Sequence, residues 1–300
     1  LTLRAWDIGP GDEVIVPTHT FIATWLAVTA VGAKLVPVEP SRDSFNIDPS
    51  RIQAALTSRT RVIVPVRLYG EPAELGPILE LARQHDIRVM DDAAQAHGAR
   101  YRGRPIGGQT HASAWSYYPG KNLGAFGDGG AVTTNDDDLA ERLRMLRNYG
   151  SRKKYENELL GTNSRLDPIQ AAVLRVKLRH LQAWNARRRV IAQRYDQGLA
   201  DVAGVARPRF SDDSVWHLYV VRVRERERFQ AHLAERGVQT LIHYPIAPHH
   251  QPAYASEHGG ASYPLSESIH SSVVSLPIGP HLSDAQAEQV IAAVRSFAVA

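Results

Sequence analysis

No cysteine occurs in the 300 residues, and only five of the 35 basic residues are lysine: Lys34, Lys121, Lys153, Lys154 and Lys177. The first absence excludes disulfides, thiolate zinc sites, iron–sulfur ligation and a cysteine nucleophile. Long apolar runs are missing too. No stretch reaches the ~18 consecutive apolar residues of a membrane span, and no basic-then-apolar leader opens the chain. A cytoplasmic protein without a membrane partner is expected. Charge of one sign is scarce as well, since 31 acidic residues leave a formal net charge of only +4. That is too little, and too scattered, to read as a nucleic-acid surface. The densest run, Arg187-Arg188-Arg189, falls in a helical segment and reads as a solvated face. No metal site is expected.

What is present describes a soluble globular protein: 43% apolar and 22% charged residues, in a length that suits one large or two ordinary domains. The first half alternates strand and helix patterns. Asp12–Pro17, Lys34–Val38, Arg61–Leu68 and Ile87–Met90 are β-rich. Phe21–Val31, a segment opened by Asp48-Pro49, and Glu71–His85 are helical between them. Such alternation predicts an α/β fold with a mainly parallel sheet between helices. Ligands then gather at the carboxyl ends of the strands. Leu166 to about Leu199 reads as one long helix with a wide apolar stripe, expected to be buried on more than one side. Beyond it, Val215–Val223, a helix over Glu225–Arg236, a short strand at Gln239–His243 and a last helix Ala285–Phe297 capped by Ser283 predict a smaller α+β domain. The expected division is 1–165, a linking helix 166–200, and 201–300. Leu1–Trp6 reads as the end of a helix stopped by Gly9-Pro10-Gly11, so an N-terminal part is expected to be missing.

Two segments can carry chemistry. Ser113–Val132 is aromatic and hydroxyl-rich, then holds Lys121, then glycines at 124, 127, 129 and 130. A lysine among aromatics can lose its proton by desolvation and attack a carbonyl; a bare lysine in a flexible loop does nothing of the kind. In Val89–Ala99 an apolar strand runs into Asp91-Asp92, then Gln95 and His97. One aspartate reads as a helix cap and the other as the partner of a buried cationic ligand nitrogen. A carboxylate for a pyridinium nitrogen plus a Schiff-base lysine is the signature of pyridoxal 5'-phosphate (PLP) chemistry.

Asp92-Ala93-Ala94-Gln95-Ala96-His97-Gly98 and Ser116-Tyr117-Tyr118-Pro119-Gly120-Lys121-Asn122 resemble the two signatures of the DegT/DnrJ/EryC1/StrS family. Its members are PLP-dependent nucleotide-sugar aminotransferases of the aspartate-aminotransferase fold (fold type I). The similarity continues through Gly11–Pro17, Thr20–Thr24, Leu68–Gly70, Gly161–Asp167, Ile242–Pro245 and Ser275–Pro280, and so spans essentially the whole chain. It implies roles residue by residue. Lys121 is the Schiff-base lysine and proton carrier. Asp92 sits on the pyridine nitrogen, Gln95 beside the ring oxygen, and Phe21 stacks on the ring. Ser116 holds the phosphate, and Asn163 reaches the phosphate from a partner subunit, which implies a homodimer with shared sites. His243 and Tyr244 are substrate-side candidates. The loop Ser151–Tyr155 is a candidate for the substrate diphosphate, with a solvated charge run as the alternative.

The resemblance implies an amino donor, L-glutamate, and a dTDP-linked deoxy keto sugar as acceptor. Gly161–Asp167 and Val176–Arg189 look most like the family's 3-aminotransferases, which points to amination at C3. Two departures stand out. The family's Gly-Thr/Ser phosphate turn lies upstream of the helix ending at Trp6 and is not in this sequence. Arg67 stands where relatives commonly have histidine. A non-catalytic, regulatory member is one alternative, given the missing turn. A PLP-dependent sugar dehydratase is another, but such members replace the lysine with histidine, and Lys121 speaks against it.

Overall fold

The structure, a computed structural model, describes residues 1–297. Six strands build the main sheet: β1 (Glu13–Pro17), β2 (Lys34–Val38), β3 (Thr60–Ile63), β4 (Arg88–Asp92), β5 (Ala112–Ser116) and β6 (Gly130–Thr133), in the order β2-β1-β3-β4-β5-β6. Neighbours are parallel except β6, which runs antiparallel to β5. β1 shows why an unbroken apolar run becomes a central strand. Val14 and Val16 face a cluster with Trp25, Val28 and Leu143, while Ile15 faces the opposite one with Ile52, Ile63 and Ile78. Successive side chains point to opposite faces, so a strand covered on both sides must be apolar throughout.

Local signals fix the helices that cover this sheet. Asp48 caps Pro49–Ala55 by accepting the Ser50 N–H, with proline at the first helical position. Asp136 caps Asp137–Leu146 through the Leu139 N–H. A second sheet, β7 (Val205–Ala206), β8 (Tyr219–Val223) and β9 (Val273–Leu276), is antiparallel. Tyr195, Tyr219, Phe229, Val274 and Ile291 form its core with the helices Leu181–Gly198, Arg226–Glu235 and Asp284–Arg295. Ser283 opens the last helix in a reciprocal capping box with Gln286.

The structure corrects three expectations. The long helix is two, Pro168–Leu178 and Leu181–Gly198. At Arg179 and His180 the backbone bonds tighten to the residue three back. Leu174 and Leu181 thereby both reach the cluster holding Leu123 and Ala125. Within one chain its apolar stripe is not buried on several sides either, for Ile169, Val176 and Leu178 are exposed there. Gln239–His243 forms no strand, only a single bridge from Leu241 to Ser275. Conversely, the glycine-rich Ser113–Val132 contains most of β5 and β6, whose glycines hide their strand pattern. Among the described residues no helix is long and apolar enough to cross a membrane.

Candidate active site at the carboxyl edge of the main sheet

Parallel β1, β3, β4 and β5 deliver their carboxyl ends to one edge, and the predicted site residues collect there. Asp92 closes β4 and Ser116 closes β5. Between β5 and β6 the chain folds tightly: the Lys121 N–H donates to the Tyr118 carbonyl at 2.9 Å and the Ala125 N–H to that of Tyr117 at 2.8 Å. Gly124 is required here, because a Cβ would come within 2.3 Å of the Pro119 oxygen. Lys177 clamps the outside of the loop, donating to the Gly124 carbonyl at 2.7 Å.

The loop places the Lys121 amine where burial pushes its pKa below the usual lysine value, while the charge of Asp92 pulls the other way. Asp92 is shifted upward by burial. Against that stand the Thr24 hydroxyl, which donates to it at 2.8 Å, the Ala94 N–H at 3.2 Å, and Lys121. A desolvated amine and a desolvated carboxylate that feel each other's charge form the core of the site. Both would be costly to bury without a ligand-directed purpose.

Gln95 is fixed at both ends. Its Oε1 accepts the Tyr69 N–H at 2.6 Å and its Nε2 donates to the Tyr244 hydroxyl at 2.9 Å. Tyr69 has a left-handed backbone, with φ of +61°, and its hydroxyl donates to the His243 carbonyl. Phe21, half-exposed, leans toward Tyr244 with ring centroids 5.2 Å apart. His243 bonds through Nδ1 to the Ser275 hydroxyl at 2.8 Å and feels Lys121. Phe21, Asp92, Gln95, Lys121, His243 and Tyr244 are thus joined by contacts or charge coupling. Ser116 lies five residues before Lys121, where its hydroxyl accepts the Tyr118 N–H at 3.3 Å.

Asn163 is not brought to this cluster. It is exposed, bridged to Asn148 in the segment after the helix Asp137–Leu146. Ser151–Tyr155 belongs to a surface hairpin whose charges pair locally, Lys153 with Glu156 and Arg152 with Glu141.

Sequence reading missed a supporting layer. The Asn122 amide donates to Asn185 Oδ1 at 2.9 Å and to the Val215 carbonyl at 3.0 Å, so its oxygen must face His217 Nδ1, 3.0 Å away. His217 therefore carries its proton on Nδ1 and leaves Nε2 bare. Burial holds this imidazole well below its ordinary pKa, assisted by the charge of Lys121. His97 is pushed down to about 4 by burial and then by Lys121, opposed by the Ser116 backbone. Asn122 was signalled by its place after the lysine; nothing local signals His217. Arg67 now has a structural role. Fully buried, it donates through Nε to Asp91 at 2.6 Å and through its backbone N–H to the Asp92 carbonyl at 3.0 Å. The aspartate pair thus divides, one toward Arg67 and one toward Lys121.

The donor set suits pyridoxal phosphate: a buried carboxylate for a ring nitrogen, a desolvated amine for its carbonyl, and an exposed aromatic face. The family model described as the DegT/DnrJ/EryC1/StrS aminotransferase family matches residues 1–295. The dTDP-3-amino-3,4,6-trideoxy-alpha-D-glucose transaminase of Streptomyces venezuelae is 56% identical, over 99% of this chain and 79% of its own length. The crystal structure of S. venezuelae DesV in complex with a ketimine intermediate superposes with a TM-score of 0.96 at 56% identity, covering 98% of this chain and 80% of that one. NtdA from Bacillus subtilis, with bound cofactor PMP, matches with a TM-score of 0.92 at 32% identity over 98% and 69% of the two chains. The chain belongs to the DegT/DnrJ/EryC1/StrS aminotransferase family.

Proposed function

We propose that this protein is a PLP-dependent aminotransferase that moves an amino group from an amino acid, L-glutamate, to C3 of a dTDP-linked deoxy keto sugar. The coupled pair Lys121–Asp92, buried at the edge of a sheet in a chain of this family, is the observation that carries the reading. The S. venezuelae relative, named as a 3-amino-sugar transaminase, supports the choice of C3 and of the nucleotide. NtdA, whose structure holds PMP, supports the cofactor.

When bound, pyridoxal phosphate supplies a carbonyl that condenses with amines and a ring that takes up the electrons freed at the neighbouring carbon. The protein supplies the rest. The Asp92 carboxylate holds a proton on the ring nitrogen, and Thr24 keeps Asp92 ionised. The Lys121 amine, poised below its usual pKa, takes and returns the proton at the reacting carbon. Phe21 provides an apolar face and Gln95 orients the ring edge, while Ser116 offers a hydroxyl to the phosphate. His243 and Tyr244 line the sugar side, with the Tyr244 hydroxyl held by Gln95.

Asn163 acts on the partner's cofactor in a homodimer. Its exposure and the exposed apolar line Ile169, Val176 and Leu178 support that assembly. The large domain is residues 1–165 and the small one 201–300, in a cytoplasmic enzyme. Incubation with PLP, reduction with borohydride and peptide mapping test the reading. A pyridoxyl group on Lys121, together with glutamate-dependent amination of a dTDP-3-oxo-6-deoxyhexose, is expected. Reduced protein with Lys121 unmodified would overturn it.

A further inference from the structure

Against the first turn of the helix Pro264–Ser272, a turn rich in histidine folds onto an acidic residue. His249 and His250 stand in a short 3₁₀ turn, Pro248–His250, with ring centroids 4.1 Å apart. Glu267 reaches them from the first turn of the helix. Its Oε1 lies 3.2 Å from His249 Nε2 and 3.9 Å from His250 Nε2. One donor atom from each of the three residues falls within 4.8 Å of the others. Ligands bonded tetrahedrally to zinc at about 2.0–2.2 Å sit roughly 3.3 Å apart, so these donors need to move little.

Three features distinguish this arrangement from an ordinary hydrogen-bonded pair. The Tyr263 N–H donates to the same Glu267 oxygen at 2.8 Å and fixes the carboxylate. His249 is fully buried and its Nδ1 has no hydrogen-bond partner. The carboxylate can only accept, so without a metal Nε2 carries the proton it donates to Glu267; a bound cation would take that proton's place between ring and carboxylate, with the ring proton passing to the unpartnered Nδ1. His250 and Glu267 are partly open to solvent, which gives an ion a way in and leaves room for a water as a fourth ligand.

We propose that His249, His250 and Glu267 form a binding site for a divalent transition metal of the zinc class. Two imidazoles and one carboxylate are a common zinc donor set, and the absence of cysteine excludes only thiolate ligation. The bound ion ties the turn 248–250 to the helix that carries His270. That histidine holds the Tyr244 carbonyl through Nδ1 at 2.7 Å. The metal therefore braces one wall of the aminotransferase site from outside it. The proposal itself does not depend on the reaction assigned to that site.

Titration of the whole 300-residue chain, chelator-washed, with zinc chloride by calorimetry tests this, with cobalt(II) as a spectroscopic probe. One equivalent of zinc is expected to bind and raise the melting temperature, and cobalt to show tetrahedral visible bands. His250→Leu removes a solvent-facing ligand while leaving the buried His249–Glu267 contact, and should weaken zinc binding at least tenfold. Glu267→Gln should do the same, whereas His281→Ala, at an exposed histidine elsewhere, should not. Absence of saturable binding, or equal binding by wild type and His250→Leu, would overturn the proposal.

Discussion

Around the small sheet, Tyr195, Tyr219, Phe229 and Ile291 pack into an apolar and aromatic core, and the Tyr195 hydroxyl donates to the Pro277 carbonyl at 2.7 Å. At the carboxyl edge of the main sheet the buried groups are ionisable: Arg67, Asp91, Asp92, His97 and His217 crowd behind Lys121. Burying apolar side chains contributes stability, whereas burying charges opposes it unless partners compensate. The region around the small sheet is built for stability. The main-sheet edge gives up stability for groups whose protons sit at unusual energies.

Replacing Asp92 by Asn tests that division most severely. The amide keeps the shape but cannot hold a proton on a ring nitrogen, so kcat should fall roughly 100-fold or more. The melting temperature should hold or rise, because a desolvated carboxylate is removed. A variant that stays active but melts early would break the comparison. Phe229→Ala should do the reverse. Its fully buried ring leaves a cavity costing about 3–5 kcal/mol. Urea unfolding should show that loss, with kcat per folded molecule unchanged.

Acid separates the regions by a different route. His19, His97, His217 and His270 are all held below their ordinary value of 6.5 by burial, His97 and His270 down to about 4. As the pH falls through 6.5, the unfolded chain takes up protons at these positions that the native state refuses. Stability present above 6.5 is therefore lost, at up to about 1.4 kcal/mol per group per pH unit. Three carboxylates act oppositely: burial raises Asp92, and lifts Asp91 to about 6 and Glu71 to about 7, so the native state gains stability as the pH falls through their raised values. The histidines outnumber them, and the urea midpoint should drop between pH 6.5 and 5. His97→Gln, which cannot titrate, should drop less steeply. A midpoint that rises on acidification would show that the carboxylates dominate.

How far the sequence foretold this arrangement depends on range. Strands such as Lys34–Val38 and caps such as Asp48 and Ser283 are set by neighbours, and they were legible. Lys121 and Asp92 stood out because a lone lysine among aromatics and a carboxylate ending an apolar strand are costly locally. The break at Arg179–His180 was not legible, because it answers to packing of Leu174 and Leu181 on a distant loop. Nor was His217, which gains its meaning only from Asn122, 95 residues earlier in the chain. Arg67 looked like an unexplained exchange until its buried pairing with Asp91 was visible.

The smallest expected effects give the sharpest comparison, because they remove the same chemical group from each region. Thr24→Val deletes a hydroxyl that donates to Asp92 at 2.8 Å; Ser283→Ala deletes one that accepts the Gln286 N–H at 3.2 Å. The first bond favours the ionised carboxylate, so its loss raises the pKa of Asp92 further. The acid limb of the activity profile should move to higher pH, with kcat at neutral pH down about tenfold, equivalent to about 1.4 kcal/mol. Stability should fall only modestly: valine fills the same space but leaves the buried Thr20 hydroxyl, 2.9 Å from Thr24 Oγ1, without that partner. The second bond satisfies a helix end, and its loss should cost about 1 kcal/mol in urea unfolding and leave the pH profile of activity unmoved. If Thr24→Val lowered the urea midpoint as much as Ser283→Ala while the profile stayed in place, the hydroxyl beside Asp92 would be structural, and the contrast between the two regions would fail at its closest point of comparison.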